Sequence, residues 1–126
     1  MNTRRQTPGS RRIGNRVAEQ LADTMFGLST PSRVQILGCL LEGPHGVSAL
    51  MDELGMEQSA LSHQLRVLRE HTLVKVERQG RRRVYALHDE HVAALLEDAL
   101  RHVEQRIPRR VRSRQGLGRV AGSGEA

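Results

Sequence analysis

Apolar positions along the chain recur at intervals of three and four, change once to every second residue, and then return to three and four. Val17, Leu21, Met25 and Leu28 are spaced four, four and three and predict a helix over Asn15 to Leu28. Thr30 and Pro31 predict the start of the next helix, since threonine caps well and proline suits the first helical position. Val34, Ile36, Leu37, Leu40 and Leu41 make that helix apolar on most sides, so it should be central in the core. Glu42 to Gly46 breaks it. Ser48 is expected to cap a short helix with Leu50, Met51 and Leu54 facing inward, and Gly55 to stop it. The stretch from Met56 to Glu70 then carries Leu61, Leu65 and Leu68 on one stripe. A short helix, a glycine turn and a longer helix with a polar face make a helix-turn-helix.

The period of two follows. Leu73, Val74 and Val76, then Val84 to Leu87, predict two strands joined by a turn at Gln79-Gly80. Asp89 and Glu90 predict the start of a last helix running to about Arg106, with Val92, Leu95, Leu96, Ala99, Leu100 and Val103 as a wide apolar stripe. That stripe, like the one on the first helix, exceeds what a single small domain needs. A homodimer is expected. The fold class is α+β, mostly α: about five helices and a β-hairpin.

The polar face of Met56–Glu70 changes the picture. Gln58, Ser59, Ser62, His63, Gln64, Arg66 and Arg69 supply donors, acceptors and two cations, with carboxylates at the ends in Glu57 and Glu70. These side-chain types read base edges and grip phosphates in a major groove. Arg78, Arg81, Arg82 and Arg83 cluster at the hairpin, where a solvated edge protected by charge would not need four arginines. They are expected to lie along a DNA backbone.

Composition agrees. The chain of 126 residues has a net charge of +6, and its excess cation is arginine, which suits phosphate and guanine. Phe26 and Tyr85 are its only aromatics, so it has no stacking platform for single strands. No apolar run approaches the ~20 residues of a membrane span, no signal peptide is evident, and a single cysteine, Cys39, reads as a small core residue in a reducing cytoplasm. Residues 1–14 and 108–126 are rich in Arg and Gly and are expected to be disordered tails around a folded 15–107. Ser62 and His63 are neighbours, diverge on a helix, and cannot pair as nucleophile and base; no enzyme is expected.

Thr30-Pro31-Ser32-Arg33, the run Gln58-Ser59-Ala60-Leu61-Ser62-His63-Gln64-Leu65-Arg66-Val67-Leu68, the arginine-rich hairpin and Asp89-Glu90-His91 together resemble the ArsR/SmtB family of dimeric winged-helix metalloregulators. The similarity spans about Leu21 to Gln105 and is greatest to nickel/cobalt and zinc sensors with their site on the last helix. The resemblance implies a dimeric, cytoplasmic repressor of double-stranded operator DNA. It also implies a site for nickel, cobalt or zinc made of Asp89, His91, His102 and the position of Gln105.

Spacing constrains that site. His91 and His102, eleven residues apart, share a helix face but stand roughly 16 Å apart along the axis. One chain cannot bring both to one ion; an antiparallel pair of last helices can, twice by symmetry. Gln105 departs from the carboxylate or imidazole expected there, and Glu104 beside it points about 100° away. A separate effector-sensing protein is the alternative to direct metal binding. The family's thiolate site before the turn is absent, because Gly46, Val47 and Ser48 stand there. His45 and His71 are expected at the surface, and His88 adjoins the candidate metal site. The competing function is a nonspecific architectural DNA- or RNA-binding protein without effector response.

Overall fold

A computed structural model describes residues 12–107; the expected tails lie outside them except for Arg12 to Gly14, which have no regular structure. Eight elements follow: α1 (Asn15–Phe26), α2 (Pro31–Leu41), β1 (His45–Gly46), α3 (Val47–Leu54), α4 (Gln58–Glu70), β2 (Val74–Gln79), β3 (Arg82–Leu87) and α5 (Glu90–Arg106). The described residues fall into two compact units, one ending at Glu90 and one beginning at His91.

In the first unit α2 is central, as its all-round apolar pattern predicts. Thr30 caps it, its hydroxyl accepting from the Arg33 N–H at 3.3 Å, and Pro31 takes the first position. Ile36 and Leu37 are fully buried and meet a core completed by Leu50 from α3, Leu61, Leu65 and Leu68 from α4, and Leu73, Val74, Val84 and Tyr85 from the sheet region. Burying seven large side chains almost completely, each worth about 1.5–3 kcal/mol, fixes α3 and α4 against α2. The α4 stripe is the predicted one: only its leucines are buried.

Several boundaries differ from expectation, each for a local reason. α1 stops at Phe26 rather than Leu28, because Gly27 N–H turns back to Thr24 and the chain tightens through Leu28 and Ser29. Gly27 also touches Leu73: a Cβ there would lie 2.3 Å from Leu73 Cδ1. Ser48 does not cap α3. A third strand, β1, pairs antiparallel with β3 through His45↔Tyr85 and Gly46↔Val84, so the helix begins directly at Val47 with Gly46 before it. Met56 and Glu57 precede α4, and the Glu57 carbonyl accepts from Leu61 N–H. The hairpin turns at Gly80-Arg81, one residue later than expected, with Gln79 opposite Arg82. Gly80 has φ 67°, the left-handed value that the first central residue of a type II′ turn needs.

α5 begins at the last residue of the first unit, with Asp89 immediately before it and Glu90 in its first turn, and runs as a single helix through the second unit. Val92 and Leu96 are buried, whereas Leu100 and Val103 are exposed. No helix among the described residues is long and apolar enough to cross a membrane.

Candidate nucleic-acid interface

The polar face of α4 and the outer side of β3 enclose a cleft of about 420 Å³ lined by Ser59, Ser62, His63, Arg66, Arg69, Arg83 and Tyr85. A second cleft adjoins it, lined by Gly46, Val47, Ser48, Gln58, Ser62, Arg81, Arg82, Arg83 and Tyr85. Ser62, Arg83 and Tyr85 belong to both, and neither is lined by a carboxylate. The geometry comes from the core outward. Leu61, Leu65 and Leu68 pin the inner face of α4, which leaves Ser59, Ser62, His63, Arg66 and Arg69 outside and exposed. Val84 and Tyr85 bury the middle of β3, which holds the arginine end of the hairpin beside them.

The hairpin carries its charge at some cost. Arg78 and Arg83 are directly opposite across the strands, a like-charge pairing that disfavours the sheet on its own. Their burden is tolerable because both are exposed and because the Arg83 guanidinium sits 5.9 Å from the centre of the Tyr85 ring. On α4, an Arg66 N–H donates to His63 Nδ1 at 3.3 Å. Arginine only donates, so Nδ1 is the acceptor and Nε2 carries the hydrogen that can reach outward. Ser59 Oγ donates to Glu57 at 3.3 Å.

Of the expected DNA-contacting residues, Ser59, Ser62, His63, Arg66, Arg69 and Arg83 line the first cleft; Gln58, Arg81 and Arg82 join at the second. Arg78 is exposed on β2. Gln64 stands apart. It lies about 100° round the helix from His63, is half-buried, and accepts a hydrogen bond at 3.0 Å from the Arg33 guanidinium. Arg33 is the residue that sequence reasoning missed: it is 5% exposed, the one buried charged residue among those described. A cation in the first turn of a helix opposes the helix dipole, and that was the available signal that it had other work.

The histidines also differ from expectation. His71 is half-buried and paired with Asp23 at 2.9 Å, and His45 donates from Nδ1 to the Gly43 carbonyl at 2.7 Å and lies 3.3 Å from Glu53. Cys39 is partly exposed rather than fully in the core; burial first, and then a hydrogen bond with Glu53, push its thiol up to about 11. Among the expected metal ligands, Asp89, His91, His102 and Gln105 are all exposed, and His88 lies 3.9 Å from Asp89. Within one chain, no three His, Cys, Asp or Glu side chains converge among the described residues.

Residues 30–76, which contain α2 to the start of β2, match the model of the family described as bacterial regulatory protein, arsR family. The HTH-type transcriptional regulator NmtR of Mycobacterium tuberculosis is 51% identical over 92 residues, 73% of this chain and 77% of that protein. The chain belongs to the ArsR family. A transcriptional repressor SmtB homolog of Synechocystis is 36% identical over 88 residues, covering 70% of this chain and 67% of the other. Among solved structures, a homodimeric winged helix-turn-helix DNA-binding domain from Mycobacterium bovis, a possible ArsR-family regulator, superposes with a TM-score of 0.72 at 26% identity, covering 81% of this chain and 94% of that one. The ArsR-family protein described here is thus a transcriptional regulator with the winged helix-turn-helix fold.

Proposed function

We propose that this regulator works as a homodimer that reads a two-fold operator in double-stranded DNA and represses the genes beside it. The observation that carries the reading is the pair of adjoining clefts lined by arginine, serine and histidine with no carboxylate. Ser59, Ser62, His63 and Arg66 face bases and nearby phosphates; Gln58, Arg69, Arg78, Arg81, Arg82 and Arg83 hold backbone. The second copy covers exposed apolar side chains on α1 and α5, in keeping with the homodimeric relative. An architectural protein indifferent to sequence would need the arginines but not the ordered serine and histidine face.

Mutation separates the two roles. Ser62→Ala should lower preference for a duplex selected from a random library, by about five- to tenfold, and leave scrambled duplex unchanged. Arg82→Ala and Arg83→Ala should weaken both duplexes alike and each reduce the salt slope by about 1. Equal losses on both duplexes from both classes would contradict the assignment.

The donor set at the start of α5 and along it supports direct metal response in part. Two imidazoles and a carboxylate suit zinc, nickel or cobalt, whereas the Gln105 amide is a poor ligand. His91 and His102 share a helix face too far apart axially for one ion, so the site needs Asp89 and His91 of one protomer with His102 of its partner. A bound metal would supply a charge that joins the two last helices. Calorimetric titration with nickel, cobalt and zinc should show binding that His91→Ala abolishes. Absence of heat in the unaltered protein would leave sensing to a partner protein.

A further inference from the structure

Arg33 does not line either cleft, yet it is tied to the helix that does. Its Nε donates to the Gly27 carbonyl at 3.0 Å, one terminal nitrogen to the Phe26 carbonyl at 2.9 Å and to Ser29 Oγ at 3.3 Å, and the other to Gln64 Oε1 at 3.0 Å. All its partners are neutral oxygens. A buried guanidinium stays charged and needs compensation. Here it comes from the carbonyl end of α1, the negative pole of that helix, and from the Phe26 ring 5.2 Å away. α1 has no buried side chain, so its attachment to the rest of the unit relies on such polar links. A second link runs parallel: Asp23 pairs with His71, which ends α4, and the Phe26 and His71 rings stand 5.1 Å apart.

Because arginine only donates, the Gln64 atom facing it must be the carbonyl oxygen. The Gln64 carboxamide is therefore fixed by the protein. It is not free to choose between the donor and acceptor orientations that adenine readout requires.

We propose that Arg33 is a positioning residue for DNA recognition: through Gln64 it locks the reading helix to the carbonyl end of α1. Gln64 then serves as the anchor point on α4 and not as a reader of bases. This rests on the proposed operator-binding function. It adds that the helix carrying the exposed apolar face and the helix carrying the reading face are set as one body by this buried fork beside the Asp23–His71 pair.

The test uses the full chain and a duplex that it selects from a random-sequence library. Affinity for that duplex and for its scrambled version, together with the base preference at each position, is measured for Gln64→Leu, Gln64→Glu, Arg33→Lys and the double variant Arg33→Lys/Gln64→Leu. Gln64 is half-buried, so its variants keep the measurement valid should Arg33→Lys fold poorly. Losing a hydrogen bond to a charged group should weaken the selected duplex about tenfold in each of Gln64→Leu and Arg33→Lys. Scrambled duplex should be unaffected, and preference should flatten evenly across positions. The double variant should be no worse than the poorer single one. Gln64→Glu, which keeps an oxygen for Arg33, should retain the unaltered preference profile. A change at one base pair in Gln64→Leu and Gln64→Glu, additive losses, or unaltered affinity in Gln64→Leu would overturn the proposal while leaving operator binding intact. Failure of the unaltered protein to enrich any sequence would instead overturn the operator reading itself.

Discussion

The helices α1 and α2 are nearly equal in length and adjacent in sequence, yet they put their apolar residues to opposite uses. α2 buries Ile36, Leu37 and Leu40 and has the other core elements around it. α1 has a cleaner amphipathic pattern and buries nothing: Val17 is 59% exposed, Leu21 45% and Phe26 53%. An apolar face of that kind on an ordered helix marks a surface for another molecule, and the outer part of α5, with Leu100 and Val103 exposed, repeats the pattern in the other unit. The contrast teaches that periodicity identifies a face to be covered but not what covers it. Within the protomer the cover is α2's neighbours; for α1 it is, on the proposed reading, a second chain.

The contrast can be broken from either side. Leu37→Ala removes a fully buried side chain from the most enclosed helix and should cost about 2–5 kcal/mol, read as a lower denaturant midpoint. The double variant Val17→Glu/Leu21→Glu should leave each protomer's secondary structure intact while converting the dimer to a monomer in sedimentation. A dimer surviving that change would place the interface elsewhere. A smaller effect should follow from Gly27→Ala, which forces Leu73 aside where α1 ends and should cost about 1–3 kcal/mol. Smaller again, Thr72 closes α4 with φ 60°, a left-handed conformation costly for a β-branched residue, and Thr72→Gly should add up to about 1 kcal/mol of stability.

Cys39 tests how well α2 is covered. Its folded pKa, about 11, exceeds the ordinary 9.0, so the fold favours the neutral thiol. The associated stabilisation is therefore present below pH 9 and is lost as pH rises through about 11. Iodoacetamide should label the folded protein at pH 8 much more slowly than the denatured chain; equal rates would mean that α2 is less enclosed than described.

Much of this was legible from residue order. The α4 leucine stripe, the Thr30-Pro31 start, the Gly55 stop and the alternation in β2 and β3 are local signals, and each element stands where its signal lies. What sequence could not give was contact. β1 has two residues, too few for any period to register, and it forms only because β3 offers an edge. Gln64 looks like its polar neighbours until Arg33 is found beside it, thirty-one positions earlier in the chain. The clefts follow the same rule: their arginines were countable, but their convergence with Ser62 and Tyr85 depends on β2 packing against α4 and β3 against α2 and α3.

On the proposed reading, two copies of this chain present paired reading helices to one duplex. Footprinting of the full chain on its selected duplex, with stoichiometry measured on the same complex, tests it most directly. Two chains per duplex should protect two inverted half-sites about one helical turn apart. One chain per duplex, or protection of a single unpaired half-site, would contradict it.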